Sequence, residues 1–139
     1  MNGGYVTFRL GERVYAASLP AVREIVRLAD LEELPGMEPP LVGVLELRGV
    51  PLPVLDGRPA PEDGLRRGDV LVLEATASAD AVGVVVDRVV SVLDDTELKR
   101  GPVAAPLSSL PSYVVDVLHG VNGQVFMVDL RQIYALVAA

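Results

Sequence analysis

Apolar and polar residues alternate in short runs along most of this chain, with glycines and prolines between the runs. Tyr5-Val6-Thr7-Phe8-Arg9-Leu10 alternates and is rich in strand formers, Gly11-Glu12 makes a turn, and Val14 to Leu19 reads as the return strand. Pro20 suits the first turn of a short helix, with Val22, Ile25 and Val26 on one face and Arg23, Glu24 and Arg27 on the other. Leu31 to Leu34 reads as a short strand and Pro35 to Pro40 as a loop. From Arg58 to Gly68 the prolines and glycines leave little room for a helix, which predicts a linker. Asp69 to Glu74 is then a strand, Thr76 to Asp80 a polar turn, and Ala81 to Asp87 a nearly continuous apolar strand of the kind buried on both sides. Val89 to Leu93 continues it in a new direction past Arg88, and Asp94 to Ser112 reads as a long loop. Val114 to Val121 includes a strand, Asn122-Gly123 is a hairpin turn, and Gln124 to Val128 returns. Asp129 is a good N-cap for a closing helix from Leu130 to Val137.

The rest of the chain is organised around Gly43 to Arg58. Two short apolar runs flank Arg48-Gly49, and Asp56-Gly57 ends the second, which is the pattern of a β-hairpin. Pro51 and Pro53 lack backbone N–H donors and so push the second strand towards an edge or a bulge. Arg48 is a single cation at the turn between apolar strands; it must find a partner or reach solvent, because an unpaired buried charge is costly. An exposed charge, a salt bridge to Asp56 or Glu46, and a binding role all fit it.

The two halves of the chain also rhyme. VYAASLPAVREIV (14–26) recurs as AVGVVVDRVVSVL (81–93), and PVLDGR (53–58) recurs as FMVDLR (126–131). Weak internal symmetry of this kind suggests duplicated units that bury a shared face. About five short strands per half with few helices predict a mainly β protein of two small barrels side by side.

Composition narrows the function. At 139 residues, half of them hydrophobic, the chain can bury a core as one domain or two very small lobes. Its net charge of −7 disfavours nucleic acid and anionic membrane as partners. The longest apolar runs are one strand long, far short of the ~20 residues of a membrane span, and the N-terminus has no apolar signal core. With no cysteine there is no disulfide framework and no thiolate chemistry, and the expectation is a cytoplasmic protein.

The enzyme chemistry is thin. The single histidine, His119, needs an orienting partner and a nucleophile or pocket to act as acid or base, and a hairpin-end His is the plainer reading. Asp94-Asp95 with Glu97 lacks the spacing and glycine of a calcium loop and reads as a solvated acidic turn. There is no glycine-rich phosphate loop, and Ser108-Ser109 has no triad context. Neither a metal nor a cofactor is indicated. Val22 and Glu24 could form a partner contact, with core packing of Val22 as the alternative.

Six stretches in order then match a known family: YVTFRLGERVYA (5–16), AVREIV (21–26), LPG (34–36), LVGVLELRGVPLPVLDGR (41–58), AVGVVVDRVVSVL (81–93) and GVNGQVFMVDLRQI (120–133). Together they resemble the CheW family, the chemotaxis adaptors that join transmembrane chemoreceptors to the histidine kinase CheA. The resemblance implies two SH3-like five-stranded barrels with a shared core and a groove between them, lobe 1 at approximately 11–68 and lobe 2 at approximately 5–10 plus 69–139. It implies no catalytic activity and two partners, the receptor's cytoplasmic tip in the groove and the kinase regulatory domain against a lobe. The family's contact positions fall on Val22, Glu24, Arg48, Val70 and Val92. One departure stands out: relatives have Asp-Leu-Arg and a helical turn where this chain has Asp56-Gly57-Arg58 followed by Pro59 and Pro61. That departure leaves room for a parallel pathway such as pilus-driven motility. From another class, a small ligand-binding or hydrolytic β-barrel would need His119 and a carboxylate converging on a deep apolar pocket.

Overall fold

The structure, a computed structural model, describes residues 3–74, 81–100, 110–121 and 123–132. Its strands are β1 (Tyr5–Leu10), β2 (Arg13–Ser18), β3 (Val22–Arg27), β4 (Leu41–Leu47), β5 (Val50–Leu55), β6 (Asp69–Glu74), β7 (Ala81–Val86), β8 (Arg88–Leu93), β9 (Lys99–Arg100), β10 (Val114–Gly120) and β11 (Gly123–Val128). They form a five-stranded sheet, β3-β6-β7-β5-β4, which we call lobe 1, and a six-stranded sheet, β8-β1-β2-β11-β10-β9, which we call lobe 2. The fold is mainly β, as the alternation predicts.

The two sheets are the same sheet built twice. Replacing β1, β2, β3, β4 and β5 by β6, β7, β8, β10 and β11 converts the order of one into the other, with β9 as an addition. The correspondence holds residue by residue. Val72 lies between Gly83 and Glu24 as Thr7 lies between Ala16 and Ser91. Val54 runs parallel to Gly83 as Met127 runs parallel to Ala16. Each lobe therefore takes two strands from one half of the chain and three or more from the other. The chain changes sheet at the 3-10 turn Leu19–Ala21 and again at Asp87. Hydrogen bonding thus divides the chain differently from a cut at residue 68: β2 pairs within lobe 2, and β6 and β7 pair within lobe 1.

Burial follows the same symmetry. Val6 and Phe8 of β1 meet Leu71 and Leu73 of β6 in one shared core between the sheets, with Leu55 and Val128 in equivalent places. The opposite faces fill each lobe separately, Leu52, Val54, Val70 and Val72 in lobe 1, and Tyr5, Ala16, Leu98 and Leu118 in lobe 2. At ~1.5–3 kcal/mol for each fully buried Val, Leu or Phe, these three clusters supply most of the driving force.

Several local expectations change. The predicted helix after Pro20 shrinks to the 3-10 turn, and Val22–Arg27 is a strand, because β-branched residues pairing with β6 favour period two over period 3.6. Leu31 to Leu34 contributes only a bridge between Glu32 and Val44. Pro51 and Pro53 do not put β5 at the edge, since β4 is outermost; they precede the pair Val54–Leu55, which bonds to β7. No helix forms at 58–68. Of the closing helix only a 3-10 turn at Leu130–Gln132 is described; the rest of it, the turn at 76–80, Ser108-Ser109 and Asn122 lie outside the described residues.

One polar cluster ties the halves together. The Asp56 carboxylate is wholly buried and accepts from Arg58 N (2.9 Å), Arg58 Nε (3.0 Å), Arg58 Nη2 (2.8 Å) and Arg66 Nη1 (3.0 Å). Arg58 Nη1 also donates to Asp87 Oδ1 at 2.9 Å, and Asp87 Oδ2 accepts from Gly11 N at 2.7 Å. The cluster therefore joins the end of β5, the β7–β8 corner and the β1–β2 turn. Burial alone would raise the Asp56 carboxyl, but the hydrogen bonds from Arg58 and the charges of Arg58 and Arg66 outweigh it and hold the group below its ordinary value of 3.8.

Because the folded-state pKa is depressed, this contribution is complete at neutral pH and is lost as pH falls through 3.8 and below. Asp56→Asn leaves Arg58 and Arg66 with a weaker acceptor and should cost about 2–3 kcal/mol at pH 7, read from urea unfolding. The gap between wild type and variant should narrow as pH drops below about 4; a gap unchanged from pH 7 to 3 would remove Asp56 from this role. Strand exchange makes a second prediction. A protease site inserted between the exposed Pro59 and Ala60 and cut after folding should leave both pieces eluting as one particle of native size.

Candidate functional site

The β4–β5 hairpin closes through a two-residue turn, Leu47–Arg48-Gly49–Val50, in which both central residues have positive φ, 49° and 80°. That is the geometry whose twist matches antiparallel strands. Glycine adopts it freely; Arg48 is the one non-glycine residue with positive φ among the described residues. A side chain held in this region sits at a defined place at the tip, and the place is opposite β3.

β3 delivers Glu24 there through a bulge. Val22 pairs with Leu73 and Glu24 with Val72, so Arg23 is the extra residue. The bulge changes which face the strand presents: Val22 packs on the shared core, while Glu24 and Val26 turn to the lobe 1 side. The Arg48 guanidinium then forks onto the Glu24 carboxylate, Nη1 to Oε2 at 3.0 Å and Nη2 to Oε1. The hydrogen bond from Arg48 holds the Glu24 carboxyl below its ordinary value and the same bond holds Arg48 above its own. Such an exposed pair adds little to stability. Its effect is positional, since β3 and β4 are the two edges of lobe 1 and the fork spans from β3 to the β4–β5 tip. Beneath it lies a cavity of about 620 Å³ walled by Leu52, Pro53, Val72 and Ala81, with exposed Val50 at its rim. The predicted site residues Glu24 and Arg48 meet here, and the partner of Arg48 is Glu24 rather than Asp56 or Glu46.

The other three expected positions do not join them. Val22 is half-buried against the shared core. Val70 has no exposed surface and belongs to the lobe 1 core, so it has nothing to offer a partner directly. Val92 is on β8 in lobe 2, 55% exposed, paired with Val6. Its counterpart by the internal symmetry is Ile25, exposed and paired with Leu71. Ile25 and Val50 are exposed apolar residues that sequence reading passed over; reading VREIVR with period two would have turned Ile25 outward.

His119 stands near the end of β10, paired with Gln124 and Lys99, and its Nε2 is buried without a hydrogen-bond partner among the described residues. It lines neither the Glu24–Arg48 cavity nor the larger one in lobe 2, so no carboxylate converges with it on a pocket there. Asp94 accepts from Thr96 N and Glu97 accepts from Asp94 N, which makes the acidic stretch a self-capped turn.

The chain as a whole matches known proteins. The family model described as CheW-like domain covers residues 4–137. A chemotaxis protein CheW of Rhizobium meliloti is 31% identical over 110 residues, 73% of this chain and 69% of that protein. A chemotaxis protein CheW of Treponema pallidum is 24% identical over 142 residues, 94% and 81% of the two chains. The crystal structure of the scaffolding protein TtCheW from Thermoanaerobacter tengcongensis superposes with a TM-score of 0.70 at 20% identity, over 100% of this chain and 97% of the other, and so shares its fold. The chain belongs to the CheW family of non-enzymatic chemotaxis adaptors.

Proposed function

We propose that this protein couples the cytoplasmic tips of chemoreceptors to a CheA-type histidine kinase, in the cytoplasm, by docking alone. The Glu24–Arg48 fork carries the reading. It is a preset, solvent-facing charge pair at the end of a lobe, beside a cavity with apolar walls and the exposed Val50. A helical receptor tip would set its apolar stripe against such a surface and exchange a carboxylate or backbone oxygen for part of the fork. The kinase regulatory domain would take a separate surface, for which the exposed Val92 is a candidate contact. Val22 would act by seating β3 and not by touching a partner. Val70 would act only by shaping the floor beside Val72.

The absence of a helical turn after Asp56 supports a second placement, in a parallel pathway such as pilus-driven motility, with the same docking chemistry. Receptors of both pathways belong in the test.

Two variants separate the guanidinium from its backbone. Arg48→Glu reverses the charge, and Arg48→Gly removes it while suiting the positive φ. Both should weaken binding of a soluble receptor tip about tenfold or more and leave the kinase regulatory domain within about twofold. Isothermal titration with each partner is the measurement. Wild-type protein that binds neither partner at ~100 µM would remove the adaptor reading.

A further inference from the structure

The docking surface makes no use of the β5–β6 connection, where Pro59 and Pro61 stand in place of a helical turn. That segment is tied to itself and to the end of β5. Arg66 Nη1 returns to Asp56, Gly64 N donates to Pro61 O at 3.1 Å, and Leu65 N donates to Asp63 Oδ1 at 2.9 Å. The connection encloses a cavity of about 300 Å³, at the lower end of the ~300–1,000 Å³ typical of small-ligand pockets. This cavity shares no lining residue with the Glu24–Arg48 cavity.

Its lining is of two kinds: the charged Arg58, Arg66, Arg67 and Asp87, and the apolar Pro59, Pro61 and Leu65. The carboxylate acceptors are already taken. Asp87 accepts from Arg58 through Oδ1 and from Gly11 N through Oδ2, and both oxygens of the buried Asp56 accept from arginines. Donors remain. A guanidinium has five N–H groups, and among the described residues Arg66 gives only Nη1. Arg67 pairs with Asp63, Nη1 to Oδ2 at 3.0 Å, and both partners are exposed. Such a pair is worth little and exchanges readily.

Charge decides what could enter. Asp56, Asp63 and Asp87 balance Arg58, Arg66 and Arg67. A monoanion that replaces Asp63 on Arg67 keeps that balance and returns Asp63 to water, whereas a phosphate dianion adds an unmatched charge. A planar carboxylate also suits the guanidinium fork. Leu65, 62% exposed, gains from burial under an apolar body.

We propose that this pocket binds a small organic carboxylate, its oxygens on Arg66 and Arg67 and its short apolar body against Pro59, Pro61 and Leu65. A free short-chain acid and the C-terminus of a peptide share that chemistry. The inference is independent of the adaptor reading, since neither the fork nor either partner enters it.

The test is a titration of isotope-labelled full-length protein, followed by NMR at constant ionic strength, because exposed charges respond to salt. Isovalerate stands for the free acid and N-acetyl-leucine for a peptide C-terminus; 3-methylbutan-1-ol removes the charge, and inorganic phosphate removes the apolar body. At least one carboxylate should saturate shifts of the Leu65 methyls and the Arg66 and Arg67 Nε–H groups, with a Kd of ~10 mM or tighter, and the tighter of the two identifies the source. The alcohol and phosphate should bind about tenfold more weakly or not at all. Arg67→Ala and Leu65→Ser, both at exposed positions where folding is safe, should each weaken the carboxylate about fivefold or more. No saturable shift with either carboxylate overturns the proposal. So does equal binding of the alcohol or of phosphate, or a Kd unchanged in both variants.

Discussion

Neither half of this chain can complete a sheet alone. β6 and β7 find their partners in β3 and β5, and β1 and β2 find theirs in β8 and β11. A strand without its neighbour exposes a row of N–H and C=O groups, so each half carries unsatisfied edges until the other arrives. The shared core is the packing expression of the same constraint. Val6, Phe8, Leu71 and Leu73 come from the two exchanged strands and bury one another. Lobes that might have been independent domains are thereby obliged to fold as one body, and the geometry of one surface is fixed relative to the other.

Polar contacts then set detail within that frame, and their strength follows their burial. The Asp56–Arg58–Asp87 cluster is buried at its carboxylate and holds three chain segments at one corner, so losing a member leaves charge stranded. The Glu24–Arg48 fork is bidentate too but faces water, where screening and side-chain entropy consume most of the gain. A pair that does little for stability and is nonetheless placed by a positive-φ turn and a bulge is better understood through what it presents to a partner. The two clusters look alike in sequence, as acid and arginine on hairpins; depth separates them.

Much of this was legible before the fold was known. The repeat of 14–26 in 81–93 and of 53–58 in 126–131 runs in the same register, without a gap, as the hydrogen bonding of the two sheets. Hairpins announced themselves through Arg48-Gly49 and through paired apolar runs. What the pattern could not state was which copy of an equivalent strand would pair with which, because β1 and β6 are interchangeable by local sequence and only the chain path decides. Hence the lobe boundary expected at residue 68 does not coincide with the sheets. β3 is compatible with a helix in the sequence because six residues are too few to separate period two from period 3.6, and β6 settles the matter by pairing. Val70 is indicated by resemblance alone, and β6 is buried on both faces from Val70 to Leu73, with Val70 in the lobe 1 core.

The bulges explain why duplicated lobes can diverge where they do. Arg23 and Val90 are the same insertion in the same edge strand, and each shifts its strand from the shared core to the mouth of its lobe. Residues before the bulge, Val22 and Val89, are constrained by the common core and stay apolar in both halves. Those after it, Glu24 and Ser91, are released from that packing and face an opening. Substitution there alters recognition at little cost to folding, while substitution two positions earlier, at Val22 or Val89, strikes the core on which both lobes depend. A duplicated unit that must keep its strands matched but serve two different surfaces has its freedom at these positions, and at the hairpin tips Arg48 and Val121 that face them.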